Sequence, residues 1–277
     1  MIPQRNLSLL ANRLHKERGG RRIPESVLER DYCLAWFLAG LSQSQLGKLL
    51  IFKGGTALKR CYFGDYRFSE DLDFTLVRPA DFVEIRDGLE GVYQHVAQAS
   101  GIRFAFDRED RQSHINSHTF YLGYQGPLPN PNTVKVDITI AENVLFPIEQ
   151  KKVLRAYEEF NDILEGSEVS VYSLNEIATE KVVALGDRAR NEPRDLYDLW
   201  FLTAHAAVEL HLLLPAIEKK LRFRNKEIAG LQDRIVAKEA RLKALWHSRL
   251  GHQMETLPEF ETAFRVVRRE LRRAEMP

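Results

Sequence analysis

Between residues 49 and 77 a short apolar run, Leu49-Leu50-Ile51-Phe52, is cut by two adjacent glycines, Gly54 and Gly55, and is followed by Asp71-Leu72-Asp73. This order leaves few folds open. A continuous apolar run of that length is a buried strand. Paired glycines end it and let the backbone approach a bound group closely. Thr56 to Tyr62 then continue as a helix. A helix start behind glycines offers N–H donors and the positive end of the helix dipole, which suits a phosphate. The plainer reading of Gly54-Gly55-Thr56 is a tight strand–helix turn. Leu72 to Val77 is the next strand, and Asp71 and Asp73, two positions apart, project to the same face. Two carboxylates that close repel each other, and a divalent cation relieves this. Mg²⁺ takes oxygen ligands and binds through carboxylates together with substrate phosphates. The plainer reading of an isolated Asp-x-Asp is a capped turn.

The remaining pattern is mixed at first and helical later. Residues 5–17 form a short amphipathic helix stopped by Gly19-Gly20. Pro24 opens a helix over 25–39, with Val27, Leu28, Tyr32, Leu34, Ala35 and Leu38 as core contacts. Residues 81–99 form another helix. The stretches 102–106, 117–124 and 133–140 alternate as strands do. In the last, Val134, Val136, Ile138 and Ile140 share one face, and Lys135, Asp137 and Thr139 the other. Asp137 is a lone carboxylate on an apolar strand, and on an adjacent strand it would complete a trio with Asp71 and Asp73. From about residue 173 helices take over: 175–190, 194–205 behind Pro193, one long helix over 215–250, and 257–274. The expected organisation is α+β, with a mixed sheet and flanking helices over 1–168 and a helical domain over 169–277.

Composition narrows the setting. With 44% hydrophobic and 29% charged residues, the chain forms an ordinary core and is not disordered. The net charge of +1 hides an asymmetry, because residues 1–203 hold 25 Lys+Arg against 29 Asp+Glu, and residues 204–277 hold 15 against 10. The basic end, dense at Arg265, Arg268, Arg269, Arg272 and Arg273, is either a solvated helix surface or a surface for RNA or an acidic partner. Ile228, Leu231, Ile235, Leu242 and Leu245 fall near heptad spacing, interrupted by Lys238. They suit a helix packed on its own domain or a coiled-coil contact. Cys33 and Cys61 show neither metal-ligand spacing nor a disulfide framework. The N-terminal residues are not expected to form a signal peptide, and no apolar run in the sequence is of membrane length. A cytoplasmic protein with no membrane partner is expected.

Phe52-Lys53-Gly54-Gly55-Thr56-Ala57-Leu58 and Arg67-Phe68-Ser69-Glu70-Asp71-Leu72-Asp73-Phe74 resemble the AbiEii/AbiGii nucleotidyltransferase toxins. This family lies within the DNA polymerase β-like nucleotidyltransferase superfamily and includes the mycobacterial MenT toxins. The resemblance continues through Val136-Asp137-Ile138-Thr139, Glu180-Lys181-Val182-Val183-Ala184-Leu185 and Arg194-Asp195-Leu196-Tyr197-Asp198-Leu199-Trp200. It spans about residues 25–203. It implies a polymerase β-like core, an NTP substrate and a Mg²⁺ or Mn²⁺ cofactor. Asp71, Asp73 and Asp137 would be the metal ligands, with Asp137 helping to activate an acceptor hydroxyl. Gly54, Gly55 and Thr56 would meet the triphosphate, and Arg67 and Ser69 would flank it. Lys181 would neutralise phosphate charge. Asp195 and Asp198, i and i+3 on one helix, face the same way; their plainer role is capping and ion pairing with nearby arginines, and the resemblance implies that at least one serves the site. The implied reaction moves an NMP to an acceptor hydroxyl, such as a tRNA 3′ end, in a type IV-like toxin–antitoxin or phage-defence pair with an AbiEi-like antitoxin.

Three other readings compete. Transfer to a protein hydroxyl (NMPylation) keeps the chemistry and changes the acceptor. A non-catalytic RNA- or partner-binding protein would keep the fold alone. Asp71-Leu72-Asp73-Phe74-Thr75 also fits the nucleophile motif of HAD phosphatases, but that motif needs an apolar strand just before the first Asp, and Asp65 to Glu70 are mostly polar.

Overall fold

The structure is a computed structural model that describes residues 1–111 and 115–277. The chain forms two compact units: Met1–Glu142 with Ile148–Tyr172 and Gln253–Glu255, and Asn143–Pro147 with Ser173–His252 and Thr256–Pro277.

The first unit is built on a sheet of seven strands: β1 (Leu50–Lys53), β2 (Leu72–Leu76), β3 (Arg103–Glu109), β4 (Ser117–Gln125), β5 (Asn132–Thr139), β6 (Ile148–Lys152) and β7 (Glu168–Tyr172). Their order is β3-β4-β5-β2-β1-β7-β6. The sheet is mixed, with β2 parallel to β5, β1 parallel to β7, and the other neighbours antiparallel. One face is apolar. Phe52, Phe74, Phe120, Val136 and Ile138 are all buried, and α2 (Glu25–Ser42) and α4 (Phe82–Ser100) pack there. Phe37 of α2 lies 5.4 Å from Phe104 of β3, and Phe82 of α4 lies 5.5 Å from Phe120 of β4. α2 is apolar nearly all round from Tyr32 onward, and Asp31 to Leu41 is a continuous buried run. Gly40 lets it meet α4, since a Cβ there would stand 2.5 Å from Val96 Cγ2. α1 (Gln4–Arg18) adds Leu7, Leu10, Ala11 and Leu14 to the same core.

Charge is buried with a partner. Asp31 of α2 pairs with Arg60, both side chains almost inaccessible, and Arg60 also donates to the Leu154 carbonyl at 3.1 Å. Lys59 is buried beside it. Its ammonium donates to the Gly64 carbonyl at 2.6 Å and the Tyr157 hydroxyl at 2.8 Å, and lies 4.5 Å from the Phe68 ring centre. Burial pulls its pKa down to about 8.

Two strands fall outside the pattern-based expectation. β7 carries a short alternation, Val169-Ser170-Val171. β6 is nearly all polar and forms by pairing with β7 at the sheet edge. Pairing partners of that kind leave no periodic signal.

The second unit is helical: α5 (Leu174–Gly186), α6 (Pro193–His205), α7 (Leu210–Phe223), α8 (Leu231–Val236), α9 (Glu239–Leu250) and α10 (Phe260–Arg273). The one helix expected over 215–250 is therefore three pieces. Asn225 and Gly230 take left-handed φ of 53° and 68°, which no continuous helix tolerates. Lys238 is buried between α8 and α9, and its ammonium donates to the Leu185 carbonyl at 2.7 Å, the Arg190 carbonyl at 2.6 Å and the Asp187 carbonyl. The lysine that interrupts the apolar spacing thus joins the chain to the end of α5. Leu231, Ile235 and Leu242 lie in this unit's own core.

Removing one partner of the Asp31–Arg60 pair leaves a buried unpaired charge. Asp31→Asn is expected to cost about 3–5 kcal/mol in urea denaturation, and the paired change Asp31→Leu with Arg60→Met much less.

Candidate active site

The polar face of the sheet carries one row of side chains in register. Lys53 of β1 stands opposite Asp73 of β2, Asp73 opposite Asp137 of β5, and Asp137 opposite Thr119 of β4. Alternation explains the two carboxylates, because Asp73 sits between buried Leu72 and Phe74, and Asp137 between buried Val136 and Ile138. Thr119 Oγ1 donates to Asp137 Oδ2 at 2.9 Å. Lys53 does more than its position suggests. Its ammonium donates to Thr139 Oγ1 of β5 at 2.9 Å, so the side chain crosses β2, the strand between. It also lies 5.7 Å from the Tyr172 ring centre. The Tyr172 hydroxyl hydrogen-bonds Thr75 Oγ1 at 2.7 Å. A cation therefore reaches across the two carboxylate-bearing strands. Reading the sequence left Lys53 as a motif member without a role; its reach depends on the strand order β1-β2-β5.

The glycine turn faces this row. Gly54 begins α3 (Gly54–Ala57) with φ 80°, and a Cβ there would stand 2.6 Å from Asp73 Oδ2. A Cβ on Gly55 would stand 2.6 Å from Arg67 Nη2 and 3.1 Å from Ser69 Oγ. Arg67 and Ser69 are thus gathered at the start of α3. Arg67 is buried and its guanidinium also donates to Gln253 Oε1 at 2.8 Å. Thr56 Oγ1 donates to the Asp71 carbonyl at 2.5 Å, so its hydroxyl ties the helix to the Asp-x-Asp segment.

Asp71 lies just before β2. Among the described residues no group of three or more His, Cys, Asp or Glu side chains is gathered closely enough to hold a metal ion. Asp73 and Asp137 stand side by side in the sheet, and Asp71 lies in the preceding segment, where its carbonyl accepts from Thr56. Mg²⁺ keeps several waters and needs few protein ligands, so an all-oxygen pair beside a turn that a single methyl group would fill fits it. The Asp-x-Asp opens a strand rather than ending one, which removes the geometry that a HAD nucleophile needs.

The remaining sequence-predicted residues lie together in the second unit. Lys181 of α5 meets Asp195 Oδ1 at 2.8 Å and Asp198 Oδ2 at 2.6 Å, both from α6. Arg190 adds a contact to Asp195 Oδ2 at 2.6 Å. Asp198 is fully buried and Asp195 nearly so, whereas Lys181 keeps 12% of its side-chain surface. The carboxylates hold the ammonium in place. Burial alone would push the Asp195 carboxyl up, and Lys181 and Arg190 more than offset this, bringing it down to about 2.

Solved structures share this fold. The chain matches MenT4, a nucleotidyltransferase toxin from Mycobacterium tuberculosis, with a TM-score of 0.65 and 17% identity, over 97% of this chain and 89% of that one. It matches an H. pylori protein described as a nucleotidyltransferase with a TM-score of 0.57 and 17% identity, over 91% and 96% of the two chains. The fold is that of a nucleotidyltransferase. The model of the AbiEii nucleotidyl transferase toxins of type IV toxin–antitoxin systems matches residues 36–266, and the chain belongs to that family. None of the curated proteins compared with it matches.

Two outcomes follow from the site. Gly54→Ala, strained in φ and blocked by Asp73, is expected to cost about 1–3 kcal/mol in denaturation and about 10²-fold in nucleotide transfer. Asp195 has a folded pKa of about 2 against the usual 3.8, so its contribution is complete above pH 4 and is lost as the pH falls through 2. The stability gap between the native chain and Asp195→Asn should therefore narrow between pH 4 and pH 2, by about 2 kcal/mol, measured by urea denaturation at each pH.

Proposed function

We propose that the chain transfers an NMP from an NTP to an acceptor hydroxyl, and that the acceptor is the 3′ end of an RNA such as tRNA. The observation that carries this reading is the Asp73–Asp137 pair in register beside the Gly54-Gly55 turn. The turn lets a triphosphate lie against the start of α3, with Arg67 and Ser69 beside it. Asp73 and Asp137, with Asp71 adjacent, would hold Mg²⁺ or Mn²⁺. When bound, such a cation supplies charge neutralisation for the phosphates and the leaving group. Asp137, oriented by Thr119, accepts the proton of the acceptor hydroxyl. The acceptor oxygen bonds to the α-phosphorus as the α–β bridge breaks, and pyrophosphate leaves. Lys181, fixed by Asp195 and Asp198, is a rigid ammonium suited to neutralise phosphate charge. Most of the catalysis is positioning and electrostatics.

The family supports a toxin with a cognate antitoxin, here of AbiEi-like type, in a toxin–antitoxin or phage-defence pair. Among the described residues no helix is long and apolar enough to cross a membrane. A cytoplasmic site of action agrees with an RNA acceptor.

The test is to incubate the protein with total RNA, Mg²⁺ and each α-labelled NTP in turn, beside an Asp71→Ala/Asp73→Ala control, and to map the label. Label on RNA 3′ ends with the native chain only is the expected result. Label on protein instead would move the acceptor to a protein hydroxyl. No transfer from any NTP, with Mg²⁺ or Mn²⁺, would overturn the reading.

A further inference from the structure

Helix α10 carries buried Phe260, Ala263, Phe264, Val267 and Leu271 on one side. Arg265, Arg268, Arg269, Arg272 and Arg273 occupy the other, and all five are exposed. At 3.6 residues per turn they fall within an arc of about 140° and along about 12 Å of axis. Five of their pairs stand at i,i+3 or i,i+4: 265/268, 269/272, 265/269, 268/272 and 269/273. Like charges at those spacings destabilise a helix. Other helices pair some exposed charges with an opposite charge at this spacing, as in Arg13–Glu17 and Arg222–Glu218. On α10 Glu270 serves Arg269 and Arg273, and among the described residues Arg265, Arg268 and Arg272 have no carboxylate partner. The helix dipole accounts for Arg272 and Arg273 in the last turn, and not for Arg265, Arg268 and Arg269.

The chemistry selects the partner. Protein interfaces are built around an apolar centre with aromatic anchors. None of the exposed large hydrophobic residues lies on α10. A row of guanidinium groups with no apolar centre suits an evenly charged polymer, whose phosphates each take paired N–H donors.

We infer that the arginine face of α10 is an RNA-backbone docking surface, which holds the acceptor through its phosphates and without regard to sequence. This rests on the RNA acceptor proposed above. The transfer assay and the binding assay below are separate, so a failure of one is told from a failure of the other.

The test uses the full chain, without NTP, and a fluorescein-labelled tRNA read by anisotropy from about 50 to 200 mM salt, over which phosphate contacts weaken steeply. The variants are Arg265→Gln/Arg268→Gln/Arg272→Gln and the charge-preserving Arg265→Lys/Arg268→Lys/Arg272→Lys. The glutamine variant should lower the slope of log K against log salt by about 2 and weaken binding on the order of tenfold. The lysine variant should keep the slope. Independently of any variant, bound tRNA should protect these arginines of the native chain from phenylglyoxal, read by mass spectrometry. An unchanged slope and affinity in the glutamine variant would overturn the inference. So would equal arginine reactivity with and without tRNA, or protection by poly-glutamate and not by tRNA, which would assign the face to an acidic protein.

Discussion

Two carboxylates, Asp73 and Asp137, stand opposite each other on neighbouring parallel strands. Strands lie about 4.8 Å apart. At that spacing near a protein surface two like charges repel by about 3 kcal/mol before salt screening. That is a sizeable share of a domain's whole stability. The molecule keeps the pair and surrounds it with positive and donor groups. Lys53 crosses β2 to reach β5, and Thr119 donates to Asp137. Under the reading proposed above, a cation and a polyphosphate would meet the charge of this pair.

The rest of the first unit fixes that pair. Parallel pairing of β2 with β5 needs a long crossover, which α4, β3 and β4 supply. The register cannot slip by one residue, because Phe74, Val136 and Ile138 would then leave the core and Asp73 and Asp137 would enter it. α2 and α4 hold the apolar face, and Gly40 sets their approach. The glycine turn then places Arg67 and Ser69 beside the pair without a Cβ in the way. In the second unit the logic differs. Lys181 is held by two buried carboxylates, Asp195 and Asp198.

Much of this was legible in the sequence where periodicity and chemistry agree. Alternation in 133–140 put Asp137 on the polar face, and the glycines marked the turn. The α+β class followed from strands giving way to helices. What was hidden depends on tertiary order. The reach of Lys53 requires knowing that β2 lies between β1 and β5. The Thr56 hydroxyl is spent on the Asp71 carbonyl, a contact fifteen residues away in sequence that no motif encodes. Asp71 sits in the segment before β2, so strand register does not set its place beside the pair. The break between α7 and α8 turns on left-handed φ at Asn225 and Gly230. A glycine can signal such a break, but an asparagine within an apolar-periodic stretch signals it weakly.

The most direct test of the central claim is the melting temperature of the native chain, Asp73→Asn and Asp137→Asn against Mn²⁺ and Mg²⁺ concentration, without NTP. A cation at 100 times its dissociation constant stabilises the folded state by about 2.7 kcal/mol. The account predicts that the native melting temperature rises with the cation, that either asparagine variant loses that rise, and that both melt no lower than the native chain when metal is absent. A rise of equal size in all three proteins would contradict it.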